Sequence, residues 1–373
     1  MDFSFTEEQQ EIRSAIKKVL GELVTDESLK QLEKQEQWFH EKAWKALGDA
    51  GMLALALPES VGGAGMGLLE LCILLHQVGR TVAPIPAVET LASAALPIAK
   101  FGSDAQKQRL LPGVASGETI LSAALAEYAS RDAKNPAARA EADGDGYRLN
   151  GVFTNVGYFA QASRILVPAR VGGGVGVFLL DPKAAGVRTA KQLGTNGEPL
   201  VELVLEGAKV AAEDVLAVGE RGREALDYTV DVSTLAMVAK EYGVAEGALL
   251  LTANYSKERK QFGVPIGAFQ GVSQRVGDAF IDTESIKVAM LQAAWLMDSG
   301  RAYASALDVA KFLAAEAGAR VCAAAQHVHG GMGFDRDYPL HRYFLTSKHL
   351  EFTLGGAQSR LADLGRRIAA GTL

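Results

Sequence analysis

The chain opens with helical spacing. Thr6 and Gln9 form a capping-box pattern ahead of Ile12, Ile16, Val19 and Leu20, which recur at the three- and four-residue steps of one helical face. A second helical stretch carries Trp44, Leu47 and Met52, ends near Pro58 and gives way to a loop at Gly62-Gly63. Leu68 to Val78 reads as a mostly apolar helix, and alanine-rich apolar helices continue through Leu110 and Leu111. The pattern changes after Gly117. Short runs of β character follow, at Tyr147–Asn150, Arg164–Val167, Val175–Leu180 and Leu200–Leu205. Turn residues separate them: Asp143-Gly144-Asp145-Gly146, Gly172-Gly173-Gly174 and Asp181-Pro182. From about 220 the helical period returns and predicts helices near 226–256, 268–299, 303–328 and 340–369, lengths that suit a four-helix bundle. The expected class is α+β, with a helical domain over 1–118, an antiparallel β-domain over 119–216 and a helical bundle over 217–373.

Composition narrows the function classes. A chain of 373 residues, 48% hydrophobic, can bury a large core in two or three domains. The net charge of −6, with no basic segment longer than the mixed cluster Lys257-Glu258-Arg259-Lys260, makes nucleic acid an unexpected partner. Cys72 and Cys322 sit among apolar neighbours and read as two buried thiols of a reducing compartment. The N-terminal residues have neither a basic nor an apolar secretory segment, and no stretch is apolar for the length of a membrane helix. A cytoplasmic location is expected.

Four segments carry a family pattern. Tyr255-Ser256-Lys257-Glu258-Arg259-Lys260-Gln261-Phe262-Gly263, continued by Pro265-Ile266 and Phe269-Gln270, resembles the Y-x-x-x-R-x-Q-F-G-x-P-I-x-x-F-Q segment of acyl-CoA dehydrogenases. Gln326 to Pro339 resembles that family's Q-x-x-G-G-x-G-x-x-x-x-Y-P motif, with one more residue between Gln326 and Gly330, Pro58-Glu59 with Gly62-Gly63 resembles its P-E-x-x-G-G loop, and Asp145 to Gly151 its β-domain turn. The order is collinear over nearly the whole chain. The resemblance implies an N-terminal helical domain, a middle β-barrel, a C-terminal four-helix bundle, and FAD held at an interface between subunits. It implies flavin contacts for Arg259, Gln261, Phe262, Gln270, Gln326, Gly330 and Gly331. The residue chemistry agrees: a pyrophosphate calls for a bidentate cation such as Arg259, and glycines let backbone N–H groups come close. His327 and His329 stand too close to the glycine pair for a helical metal pair.

The reaction the family implies is α,β-dehydrogenation of an acyl-CoA, which requires a carboxylate to remove the α-proton. At the usual position of that glutamate this chain carries Leu354, in Glu351-Phe352-Thr353-Leu354-Gly355-Gly356; at the alternative position, counted back from Tyr255, it carries Ser233. Thr234 stands where many members have Arg, Ala126 where a Thr meets the flavin ring, and Asn155 where an aromatic does. Three carboxylates are candidates to compensate. Glu241 lies seven residues after Thr234, about 20° from the same helical stripe, among apolar turns that would raise its pKa; its bland alternative is a structural partner of a cation. Glu351 has Lys348 as an ion-pair partner, and Asp231 reads as a helix cap.

Some bacterial members acting on bulky acyl-CoAs, such as steroid side-chain esters, are heteromers of two homologous subunits, and His329-Gly330-Gly331-Met332-Gly333, His341-Arg342-Tyr343 and Leu354-Gly355-Gly356 resemble the subunit lacking the glutamate. The resemblance implies a homo- or heterotetramer, an acyl-CoA substrate and electron-transferring flavoprotein as acceptor. Two readings follow: a dehydrogenase subunit, or a non-catalytic subunit that completes or stabilises a partner's flavin site. The small residues Ala236, Gly243 and Gly247 hint at room for a bulky acyl group in the bundle.

Overall fold

Residues 3–36 and 38–371 are described by a computed structural model. The helices are α1 (Glu7–Leu23), α2 (Asp26–Lys34), α3 (Glu41–Asp49), α4 (Leu68–Arg80), α5 (Leu96–Phe101), α6 (Asp104–Ser116), α7 (Gly219–Glu258), α8 (Gln270–Asp298), α9 (Ala304–His329), α10 (Leu340–Phe352) and α11 (Ala357–Ala369). A π-helical segment, Val88–Ala95, precedes α5. The strands are β1 (Leu121–Ala123), β2 (Ala126–Glu127), β3 (Arg139–Asp143), β4 (Gly146–Gly157), β5 (Arg164–Val171), β6 (Gly174–Leu180), β7 (Val187–Leu193), β8 (Pro199–Val210), β9 (Val215–Val218), and the short pair β10 (Lys260–Gln261) and β11 (Val264–Pro265). Thr6 caps α1 as its spacing predicts: Oγ1 accepts the Gln9 N–H at 3.2 Å while Gln9 Oε1 accepts the Thr6 N–H at 3.0 Å. No helix among the described residues is long and apolar enough to cross a membrane.

Tertiary contacts group the chain into two units. One comprises Met1–Gln35, Leu71–Ala83 and Leu235–Leu373; the other comprises Glu36–Glu70 and Pro84–Thr234. The second unit holds a nine-stranded sheet in the order β7-β8-β4-β3-β5-β6-β9, with β1 beside β5 and β2 beside β4. Phe153, Phe178, Leu149, Ile165, Val167 and Leu203 form its core. Most pairings are antiparallel as expected, but β1–β5 and β3–β5 are parallel. The long excursion between residues 123 and 164 supplies the crossover that a parallel pair needs.

In the first unit α9 packs against α8, α10 and α11. The sequence predicted one helix over 340–369; two are found. The chain breaks at Leu354 (φ 56°) and Gly355 (φ 98°), left-handed conformations that an α-helix cannot contain. Helix α7 begins seven residues before the expected start, so Asp231 is no cap. It lies inside the helix and pairs with Lys134 at 2.7 Å. Every residue of α7 from Thr229 to Ala245 is buried, which leaves no polar face to mark its limits.

The small residues of α7 serve packing. A Cβ on Gly243 would meet the His76 carbonyl oxygen of α4 at 2.0 Å, one on Gly247 the Tyr343 ring at 2.3 Å, and one on Gly79 the Lys240 carbonyl oxygen at 1.9 Å. Backbone of α4 and the Tyr343 ring already fill the space that Gly243 and Gly247 were expected to leave for a substrate. Gly243→Ala should therefore destabilise the chain by about 1–3 kcal/mol or more. Gly21→Ala, on open helical surface, should be neutral or mildly stabilising. Thermal melts of the two variants check this, and equal melting temperatures would discard the close-approach account.

Candidate functional site

Burial of α7 forces its polar side chains inward onto the helix. Thr229, Ser233 and Thr234 donate to the carbonyls four residues back at 2.6–2.7 Å. Ser233, at one of the two expected base positions, also sits with its Oγ 2.8 Å from Ser93 Oγ on the π-helical segment. At the other base position, Leu354 occupies the break between α10 and α11. Its carbonyl accepts from Arg360, and Arg360 pairs in turn with Asp308 of α9 at 3.1 Å. Glu351 pairs with Lys348 at 2.7 Å, the ion pair expected from the sequence.

Glu241 is 2% exposed. Its Oε1 accepts from Ser347 of α10 at 2.6 Å, while Oε2 has no hydrogen-bond partner among the described residues. A Cβ on Gly318 of α9 would lie 2.1 Å from Oε1, so α9 closes over the carboxyl. Burial pushes the Glu241 carboxyl up to about 8, against the opposing pull of the Ser347 bond and the Lys311 charge. Burial likewise pushes the Lys311 amine down to about 7, with Glu241 opposing. Lys311 Nζ donates to the Leu350 carbonyl at 2.7 Å, near the end of α10. Ser93, Lys311 and Ser347 were not singled out from sequence. No local signal marks them, because each meets its partner across tens of residues of chain.

The expected nucleotide contacts lie on two turns. After α7, Lys260–Gln261 pairs with Val264–Pro265 around Phe262 (φ 52°) and Gly263 (φ 85°), the two left-handed residues of a tight hairpin. Phe262 is 93% exposed at its tip, and Arg259 is exposed with no ion pair among the described residues. Gln270 opens α8 on the surface. After α9, Gly330 (φ 58°) turns the chain, and added Cβ atoms on Gly330 or Gly331 would meet open space. Gln326 is buried, its Oε1 without a partner, and Gly333 leaves room for it: a Cβ there would lie 2.4 Å away. Tyr255, one helical turn before Arg259, stacks on His329 and so brings the two segments together. A free cation, an unpartnered buried acceptor and glycine-lined backbone are what a dinucleotide's phosphates and amino groups require.

The two departures expected in the β-domain, Ala126 and Asn155, lie on β2 and β4. Asn155 adopts φ 56° where the β4–β8 register shifts between Phe153 and Val156. Its N–H and the Thr154 hydroxyl both donate to Gln192 Oε1, at 2.9 and 3.1 Å, and Gln192 Nε2 donates to the Tyr128 hydroxyl at 2.9 Å. Ala126 lies opposite Thr154. An amide network of the chain itself occupies this face.

Comparison with known proteins fits this arrangement. Residues 6–118 match the acyl-CoA dehydrogenase N-terminal domain and residues 220–369 the acyl-CoA dehydrogenase C-terminal domain. The chain is 39% identical to acyl-CoA dehydrogenase FadE27 of Mycobacterium tuberculosis, over 99% of each. Among solved structures it resembles the ChsE4-ChsE5 complex from Mycobacterium tuberculosis (38% identity, TM-score 0.93, 99% of each chain). It also resembles a variant of the Tcur3481-Tcur3483 steroid ACAD (40% identity, TM-score 0.92, 98% of each chain). The chain belongs to the acyl-CoA dehydrogenase family.

The Glu241 carboxyl makes a testable pH signature. The folded chain holds its proton up to about 8, and the unfolded chain releases it near the usual 4.5. Stability contributed by Glu241 is therefore full below 4.5 and falls as pH rises toward 8, at up to about 1.4 kcal/mol per pH unit. Lys311 acts in the opposite sense above 7. Between pH 5 and 7 the melting temperature of Glu241→Gln should rise relative to wild type; parallel curves would contradict the assignment.

Proposed function

We propose that this chain is one subunit of a heteromeric, FAD-dependent acyl-CoA dehydrogenase whose homologous partner supplies the catalytic base. The observation that carries the reading is the absence of a carboxylate at both base positions: Leu354 stands in the break after α10, and Ser233 is locked against Ser93. Bound FAD would accept the β-hydrogen of the acyl thioester as hydride while a carboxylate takes the α-proton. In this chain Arg259 would neutralise the pyrophosphate. Gln261, Phe262, Gln270 and Gln326 would contact the nucleotide, and Gly330 and Gly331 would admit it to the backbone. The two solved relatives, a two-component complex and a steroid ACAD, support a bulky acyl-CoA and a homologous second subunit. Electron-transferring flavoprotein is the expected electron acceptor, and the two buried thiols, Cys72 and Cys322, fit the cytoplasm.

Glu241 is the carboxylate the sequence puts forward as a base. Its burial, its bond to Ser347 and its proton at neutral pH support a different role, a neutral acid that joins α7 to α10. A second reading, a subunit that only completes or stabilises a partner's site, is favoured by the occupied β4 face around Gln192.

The homogeneous, singly expressed chain should show no turnover of acyl-CoA with an artificial electron acceptor. Co-expression with a glutamate-bearing homologue should restore it. Turnover by the chain alone would reverse the assignment and make Glu241→Gln the next variant to assay. In the assembly that binds FAD, Arg259→Ala should lower affinity roughly ten- to a hundredfold, the about 1.5–3 kcal/mol of a charge-assisted contact. Unchanged flavin occupancy, measured by absorbance in the blue, would remove Arg259 from the site.

A further inference from the structure

The turn after α7 and the turn after α9 are far apart in sequence, yet three aromatic side chains lie between them. His329, 3% exposed, stacks on Tyr255 with ring centroids 4.3 Å apart and 24° between planes. Its ring also lies 5.2 Å from that of Tyr338, and Tyr338 meets Tyr255 edge-on at 6.3 Å. His329 Nδ1 is 2.8 Å from the Ala325 carbonyl oxygen, which can only accept, so Nδ1 carries the hydrogen and donates. In the neutral ring Nε2 is then an acceptor. It lies 3.1 Å from the Tyr338 hydroxyl, which donates to it.

Each ring is joined to a turn. His329 immediately precedes Gly330, whose N–H bonds back to Gln326 and His327. The Tyr255 carbonyl accepts the Arg259 N–H at 2.8 Å, and the Arg259 carbonyl accepts the Ile266 N–H at 2.8 Å, closing the hairpin base. The Tyr338 carbonyl lies 2.7 Å from His341 Nδ1. We propose that His329, with Tyr338, is a positioning residue for dinucleotide binding: the imidazole couples the Gly330 turn to the Arg259 hairpin so that both engage one ligand. The inference rests on the proposed FAD reading.

The coupling depends on the ring's protonation. Burial pushes the His329 imidazole below its usual 6.5, and the Ala325 carbonyl opposes that. The groups that face it are the Ala325 carbonyl and the two tyrosines, with Glu258 acting on Tyr338. A protonated ring would present Nε2–H to the Tyr338 hydroxyl, and the hydroxyl could no longer donate. The neutral form of the bond persists above 6.5 and reverses, with the hydroxyl accepting, only as pH falls through the ring's lowered folded-state value.

The test is titration of FAD into the flavin-depleted complex of this chain with its homologous subunit, followed by flavin fluorescence polarisation at a series of pH values from 7.5 downward. At pH 7.5, His329→Phe and Tyr338→Phe should each weaken FAD binding by about three- to tenfold. Down the series the ratio of variant to wild-type dissociation constants should change once the wild-type ring is protonated, because the bond the variants lack has then reversed. A purely structural role would leave that ratio independent of pH. Variants that bind FAD as wild type does, or that keep one ratio at every pH of the series, overturn the inference. Tyr338→Phe keeps its ring and carries the test if His329→Phe does not fold. A wild-type complex that takes up no FAD overturns the functional reading beneath it and the inference together.

Discussion

Complete burial of the middle of α7 is the constraint on which the rest depends. A helix surrounded on all sides must satisfy every polar side chain from within, and must let its neighbours approach to backbone contact. The first demand turns Thr229, Ser233 and Thr234 onto their own carbonyls and gives Glu241, among the described residues, Ser347 as its one hydrogen-bond donor. The second demand places glycine at 79, 243, 247 and 318, where any side chain would enter a carbonyl, a ring or a carboxyl. A carboxylate ionised at such a place would carry a large desolvation cost, so the site retains a proton.

The same constraint separates two uses of the fold. In this chain both expected base positions lack a carboxylate, while the surface turns after α7 and α9 carry, among the described residues, a guanidinium without an ion pair, an unpartnered buried amide oxygen and glycines with space above them. The base positions and the glycine-bearing turns rest on different elements of the fold. A subunit of this kind is consistent with a site completed by a homologous chain.

Much of the fold was legible. Changes of period anticipated the order of helical, strand and helical elements, and the capping box at Thr6 was found where predicted. The departures have physical causes. The start of α7 was missed because a helix buried all round has no amphipathic edge. The break at Leu354–Gly355 was missed because leucine ordinarily favours helix, and only the tertiary hold of Arg360 on the Leu354 carbonyl keeps the turn. Parallel pairing of β1 with β5 leaves no trace in alternation.

The sequence alone determined the family, through four motifs whose residue types answer local demands: left-handed turns, close backbone approach and a fixed cation. It also determined that both base positions lack a carboxylate. Only the tertiary structure decided what Glu241, Gly243 and Gly247 do. Their roles depend on groups brought near by packing, namely Ser347 and Gly318 for the carboxyl, His76 and Tyr343 for the glycines. Local sequence reports a residue's own conformational and solvation preferences. The partner that meets it across a hundred residues, and so its charge state and its use, is set by the packed core.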